Sequence, residues 1–196
     1  MGSKVRENVS LEDFKRVYRV FSGPPYNEKY TDEELQEIFE EYQEKGYIYG
    51  VYSGEMCAGI IALERGSKKD QPVSFQEDET MYLADIAVLD KYRKTGLGTQ
   101  LMLFGVMQSK VLGYKRIYMR TLENGSMSYG IARKIGFVPI EGVSQEVKRE
   151  RVDGSISTVR NIFLELDLEN LDRNVIKRGI QEASFEREKK YLGEEI

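Results

Sequence analysis

The sequence predicts an α/β fold, in which helices and strands are interleaved, followed by a helical tail. Three observations carry this. Apolar residues recur at helical spacing in two segments near the start, and short apolar runs bounded by turn residues follow them. Then an apolar run ending at Val88 passes through a basic, glycine-bearing turn into an amphipathic helix. With 196 residues and 40% hydrophobic content, the chain supports one domain with a sizeable core.

The first helix is capped by Ser10 and carries Leu11, Phe14, Val17, Tyr18 and Phe21 at helical spacing until Gly23-Pro24-Pro25 stops it. A second begins at Thr31 with Glu34 in the capping-box position, buries Leu35, Ile38, Phe39 and Tyr42, and ends at Gly46. Its other face is acidic. Strands are predicted over Tyr47–Tyr52 and Met56–Leu63, joined through Ser53-Gly54-Glu55, a short hairpin signal. Residues 65–79 are polar and read as a surface loop. Met81–Val88 is the next strand, and Leu97–Leu112 the helix behind the glycine turn, apolar on more than one side as packing on a sheet requires. A strand over Lys115–Leu122, a short helix over Ser126–Ile135 ended by Gly136, and strands over Phe137–Ile140 and Ser157–Leu168 complete the body. The charged stretch 141–155, with an Asp153-Gly154 turn, is either a hairpin extension or a loop. Residues 1–168 are taken as one domain and 169–196 as a helical extension, which docks on the body or across a homodimer; a solvated tail is the alternative reading.

The turn is the richest segment. Arg93, Lys94, Thr95, Gly96, Leu97, Gly98 and Thr99 bring basic side chains and unpaired helix-start amides to one concavity, where the helix dipole favours negative charge. Gly96 and Gly98 let the main chain approach a phosphate without a Cβ in the way. A phosphorylated cofactor is the expected occupant.

What is missing excludes more. With His 0 and Cys 1, Ser-His-Asp and Cys-His mechanisms are closed, no cysteine-built metal cluster forms, and no metal site is expected. Cys57 reads as a buried small hydrophobe in a reducing compartment. The net charge of −4 argues against nucleic-acid partners. No apolar run approaches the roughly 20 residues of a membrane span, and no signal-peptide core is present, so neither a membrane nor secretion is expected and a cytoplasmic setting is. Proton transfer must fall to Asp, Glu, Tyr, Lys, the thiol or water. Asp85 interrupts an apolar strand, which is costly unless it faces solvent or a cleft, and it is the first candidate for a general base. A structural carboxylate satisfied by neighbouring amides is the alternative. Glu64, ending the preceding strand, is the second candidate.

The element order β-α-α-β-β-β-α-β-α-β-β, with Arg93-x-x-Gly96-x-Gly98 between the fourth strand and third helix, resembles the GNAT superfamily of acyl-CoA-dependent N-acyltransferases. Asn124, after the fifth strand, and Gly136-Phe137, ending the fourth helix, extend the resemblance over roughly residues 4–168. The resemblance implies a mixed, mostly antiparallel central sheet flanked by helices. It implies acetyl-CoA as cofactor and acetyl transfer, by direct attack, to a primary amine of a small molecule, peptide or protein. It further implies that main-chain groups of Ala87 and Val88 pair with the pantetheine arm, that residues 93–99 take the pyrophosphate, that Asn124 is a further cofactor-binding residue, and that a splay between the fourth and fifth strands makes the slot. Where many members carry a tyrosine to protonate the departing thiolate, this chain has Ala132. Tyr129, one turn earlier, is the candidate in its place, with a core or rim aromatic as the alternative reading. The departure leaves open a second function, a non-catalytic acyl-CoA-binding sensor. A nucleotide-binding domain is disfavoured because no acidic ribose-binding residue follows at the expected distance.

Overall fold

A seven-stranded sheet organises the computed structural model, which describes residues 4–66, 71–73, 76, 78–123, 127–172, 174 and 177. Its strands are β1 (Lys4–Arg6), β2 (Gly46–Ser53), β3 (Met56–Arg65), β4 (Thr80–Val88), β5 (Arg116–Leu122), β6 (Val138–Glu150) and β7 (Ile156–Asp167), in the spatial order β1-β2-β3-β4-β5-β7-β6. Only β4 and β5 run parallel. The sheet is thus mixed and mostly antiparallel.

Local chemistry accounts for the helix starts. Helix α1 (Leu11–Tyr18) begins where the Ser10 hydroxyl accepts from the Asp13 N–H at 3.1 Å. Helix α2 (Asp32–Lys45) has the full capping box: Thr31 Oγ1 accepts from the Glu34 N–H, and Glu34 Oε2 from the Thr31 N–H at 2.7 Å. Past Tyr18 the chain tightens into a 3₁₀ turn over Arg19–Ser22, so the regular helix is shorter than its apolar spacing suggests. Gly46 does double duty, closing α2 and opening β2. A Cβ there would sit 1.8 Å from the Leu63 carbonyl oxygen, so only glycine lets β2 lie this close to β3.

Helices α3 (Leu97–Val111) and α4 (Met127–Ile135) cover one face of the sheet, where Leu101, Val106, Ile61, Leu63, Met81, Ile117 and Phe137 form the largest core. Helices α1 and α2 cover the other, packing Phe14, Val17, Leu35 and Phe39 on Ile60, Ala62 and Ala87. Farther along that second face Val73, Tyr82, Tyr118 and Phe163 form a small cluster of their own.

The open choice at residues 141–155 resolves as a hairpin extension. Strand β6 runs unbroken to Glu150 and pairs with β7, with an irregularity between Pro139 and Ser144. The tip is closed by Arg151 and Ser155, and the Asp153 carboxylate accepts from the Ser155 N–H and hydroxyl at 2.9 and 2.7 Å. Long strands in a charged sequence survive here because the hairpin has something to lean on. Glu28 bridges to Arg151, the Val152 N–H donates to the Asn27 carbonyl at 2.9 Å, and Lys29 pairs with Glu150 at 2.8 Å.

Beyond β7, the Leu168 carbonyl accepts from Lys110 Nζ at 2.6 Å and Leu171 packs on the largest core. Most of the predicted helical extension, with Val175, Ile176 and Ile180, lies outside the described residues. Among the described residues no helix is long and apolar enough to cross a membrane.

Candidate active site

The site arises from two irregularities of β4. Its parallel pairing with β5 runs from Thr80↔Arg116 to Leu83↔Met119 and stops there. Strand β5 continues to Leu122 alongside β7, so residues 84–88 leave it and the sheet opens into a slot between β4 and β5. On the other side, β3 pairs Leu63 with Leu83 but Ala62 with Asp85, leaving Ala84 as an extra residue. Such a bulge shifts the side-chain alternation by one. Met81 and Leu83 point to the α3 face and Tyr82 to the other; Ala84 and Ala87 then contact the α1/α2 cluster, while Ile86 and Val88 contact the α3 core.

The bulge decides where Asp85 goes. Without it, Asp85 would follow Met81 and Leu83 into the apolar α3 face. With it, the carboxylate joins the α1/α2 face, and Oδ2 accepts from the Tyr18 hydroxyl at 2.8 Å and from the Tyr42 hydroxyl. Burial first, and then the Asp85 charge, hold both phenols well above the ordinary tyrosine value, so they remain protonated donors. Both tyrosines belong to the buried stripes of α1 and α2, and nothing in those stripes separates a phenol that fills space from one that holds a carboxylate. The signal was present only as a pair: a buried tyrosine needs a partner for its hydroxyl, and a strand aspartate needs donors.

A cavity of about 390 Å³ runs through this opening. Asp85, Tyr18, Tyr42 and Tyr82 line it on one side of the sheet, and Ile86, Met102 and Ser128 on the other. Arg120, Thr121 and Leu122 form its β5 edge, and Thr121 Oγ1 lies 2.9 Å from Ser128 Oγ, tying β5 to α4. Phe21, Tyr26, Glu28 and Tyr30 come from the segment between α1 and α2, and Arg149 and Val147 from the hairpin. The two groups are joined by an ion pair between Arg149 and Glu28, whose other oxygen accepts from the Tyr30 hydroxyl. Glu28 is only 7% exposed. This wall is one part of the site that sequence reasoning missed, because it depends on contact between residues more than a hundred positions apart.

The glycine turn stands at the far end of the same strand. Lys94 (φ 60°) and Gly96 (φ 76°) both adopt the left-handed conformation, and Gly96 is the N-cap of α3. For Lys94 that conformation costs about 1–2 kcal/mol, and backbone strain of this kind gathers at ligand-binding turns. Arg93 Nε lies 3.1 Å from Asp90, and Thr95 Oγ1 donates to the Tyr92 carbonyl at 2.6 Å. The first helical bond is Gln100 N–H to the Gly96 carbonyl at 3.0 Å, so the amides of Leu97, Gly98 and Thr99 have no acceptor within the helix. At Gly98 the nearest atom to an added Cβ is Ile131 Cδ1 at 3.9 Å, an open approach to those amides.

The other expected residues stand as follows. Ala87 is buried and Val88 half-buried, both on the part of β4 that has left β5. Glu64 is 2% exposed on β3 opposite Tyr82 in register, and it does not line the cavity. Tyr129 is half-buried against the largest core; its neighbour Ser128, not Tyr129, lines the cavity. Asn124 lies outside the described residues. Arg120 was not anticipated, although the argument that singled out Asp85, a charge inside an apolar strand, applies to it equally.

Residues 11–137 match the family model described as the acetyltransferase (GNAT) family. The chain is 29% identical over 102 residues to the uncharacterized N-acetyltransferase YvbK of Bacillus subtilis strain 168, a match covering 52% of this chain and 59% of that one. It is 29% identical over 150 residues to the uncharacterized N-acetyltransferase YjgM of Escherichia coli K12, covering 71% and 84%. Among solved structures, an N-acetyltransferase from Staphylococcus aureus Mu50 aligns with a TM-score of 0.64 at 19% identity, over 86% of this chain and 99% of that chain. An acetyltransferase of Bacillus subtilis in complex with CoA aligns with a TM-score of 0.62, again at 19% identity, over 85% and 99%. At these identities the structural likeness speaks for the fold.

Proposed function

The chain belongs to the GNAT acetyltransferase family, and we propose that it transfers an acetyl group from acetyl-CoA to a primary amine of a small molecule, peptide or protein in the cytoplasm. One observation carries this reading. A single strand, β4, bears a helix-start anion cradle beyond its C-terminal end and, three residues before Val88, a tyrosine-held carboxylate in a cavity that passes through the sheet.

Each part has a role. Arg93, Lys94 and the amides of residues 97–99 would hold the pyrophosphate, and the open space at Gly98 admits it. Main-chain groups of Ala87 and Val88 would pair with the pantetheine arm along the edge of β4 that β5 has left. Acetyl-CoA supplies the activated acyl group. Asp85 takes the proton that an ammonium must lose before its nitrogen is nucleophilic, directly or through water. Tyr18 and Tyr42 fix the carboxylate for that exchange by donating to one of its oxygens. The cavity walls hold the amine against the slot, which replaces a bimolecular encounter with a positioned one. Glu64 and Tyr129 are assigned no step, since neither lines the cavity.

The experiment is thiol release from acetyl-CoA by the purified chain across amine panels, paired with thermal melting in CoA. Amine-dependent release above the hydrolysis background, with stabilisation by CoA, is the expected result. Stabilisation without turnover of any amine would leave the sensor reading in its place, and no stabilisation at millimolar CoA would overturn the cofactor assignment.

A further inference from the structure

Four of the residues that line the cavity, Phe21, Tyr26, Glu28 and Tyr30, lie between α1 and α2, in a segment whose only helix is the 3₁₀ turn over Arg19–Ser22. Its own hydrogen bonds fold it back on itself. The N–H groups of Tyr26 and Asn27 donate to the Gly23 carbonyl at 3.1 and 2.9 Å, and that of Glu28 to the Phe21 carbonyl at 2.9 Å. Such local bonds shape a loop, while its place against the sheet depends on contacts with other elements. The end of the β6–β7 hairpin supplies them. Arg151 stands there, half-buried and outside the cavity, and holds the loop in two ways. Its backbone bridges to Glu28, flanked by the Lys29 N–H on the Glu150 carbonyl at 3.2 Å and the Val152 N–H on the Asn27 carbonyl at 2.9 Å. Its guanidinium donates from Nη1 to the Tyr26 carbonyl and from Nε to Ser157 Oγ at 2.6 Å. One arm of the fork is on the loop and the other on β7, so the place of Tyr26 is set from the sheet. A shift of that main chain would carry the Tyr26 ring, which packs edge-on against Phe21 at 5.2 Å. It would also carry the Glu28 carboxylate, which holds Arg149 and the Tyr30 hydroxyl. Asp85 with its two tyrosines, and the glycine turn, stand on other elements.

We propose that Arg151 is a positioning residue of the acceptor site: from outside the cavity its guanidinium fixes the wall that meets the body of the amine, and so sets acceptor affinity without a part in the chemistry or in CoA binding. Arginine suits this because its planar fork donates in two directions at once, whereas a lysine ammonium is a point charge on a flexible stem. A hydrogen bond from a cation to a carbonyl is also stronger than a neutral one. The neighbouring Lys29–Glu150 pair has both side chains about half exposed, where such pairs contribute little, so it does not stand in for Arg151. This inference rests on the acetyltransferase reading and assigns the residue that holds its acceptor wall.

The test uses the full chain, acetyl-CoA and the amine panel, with phenethylamine, spermidine, lysine and leucinamide among its members, and takes kcat and KM for each amine that the parent acetylates. Arg151→Ala should raise the amine KM on the order of 10-fold, as for loss of one charge-assisted bond, and leave kcat and the KM for acetyl-CoA within about twofold. Arg151→Lys, which loses the fork, and Ser157→Ala, which frees only its Nε arm, should fall between. Hydrogen exchange followed by mass spectrometry reads the loop itself: the bonded N–H groups of residues 26–29 should exchange faster in Arg151→Ala, with β4 and α3 unchanged. The CoA-dependent thermal shift reports that each variant folds and holds CoA; should Arg151→Ala fail to fold, Ser157→Ala decides by the same readings. An unchanged amine KM, unchanged exchange over 26–29, or a kcat and an acetyl-CoA KM that worsen in step with the amine KM would overturn the inference and leave the acetyltransferase reading standing. A parent chain that CoA does not stabilise, or that acetylates no amine of the panel, would overturn that reading, and this inference with it.

Discussion

Gly98→Val separates the anion cradle from the fold. In the structure a Cβ at position 98 has only Ile131 Cδ1 nearby, at 3.9 Å, and Gly98 does not have a left-handed backbone, so valine is sterically allowed. Valine in a helix is favoured over glycine by a few tenths of a kcal/mol. The unliganded variant should therefore melt at or slightly above the parent temperature. The ligand term behaves differently. CoA at 100 times its dissociation constant stabilises the parent by about 2.7 kcal/mol, which for a chain of this size is a shift of roughly 5–11 °C. If the valine methyls lie where phosphate must approach and weaken binding about 100-fold, the same CoA concentration contributes only about 0.4 kcal/mol, or roughly 1 °C. Differential scanning fluorimetry with and without CoA reads both terms in one experiment. A full CoA shift in Gly98→Val would refute the cradle assignment. A large drop in the unliganded melting temperature would refute the packing argument.

Three further outcomes are expected. Asp85→Asn should lower kcat on the order of 10²-fold, as for loss of a general base, while keeping the CoA shift; an unchanged kcat and pH profile would remove Asp85 from the proton path. Phe14→Ala, at a fully buried ring packed against Tyr18, Phe39 and Tyr42, should cost about 3–5 kcal/mol in urea unfolding, and a loss below 1 kcal/mol would contradict the packing described for α1 and α2. Burial pushes the Cys57 thiol up to about 11 from an ordinary value of 9.0. Native Cys57 should then resist iodoacetamide at pH 8 and react once the chain is unfolded; because the unfolded thiol ionises first, its contribution to stability should fall as pH rises from 9.0 toward 11. Rapid native labelling at pH 8 would contradict this.

What the sequence determined by itself was local. Ser10 and the Thr31–Glu34 box start the helices where their side chains meet the nearest amides, Gly46 stops one, and the apolar spacing names the buried faces. The glycine turn was legible for the same reason, since helix-start amides, left-handed glycine and adjacent basic side chains all lie within a few residues. Asp85 was legible as an anomaly, a charge in an apolar strand, but its surroundings were not. Its face depends on the extra residue at Ala84, which exists only as a register between two strands, and its donors come from two helices that meet only once packed. The same holds for the wall built by Arg149 and Glu28, and for 141–150, whose charged sequence becomes strand by pairing with β7 while residues 27–29 hold the end of the hairpin. Tyr129 and Glu64 mark the converse: spacing along the chain brought them near the site, but Tyr129 rests against the α3 core, and Glu64, buried opposite Tyr82 on the same face, stops short of the cavity. Spacing fixes which residues share an element; which face a strand residue presents, and to whom, is decided by pairing between segments distant in the chain.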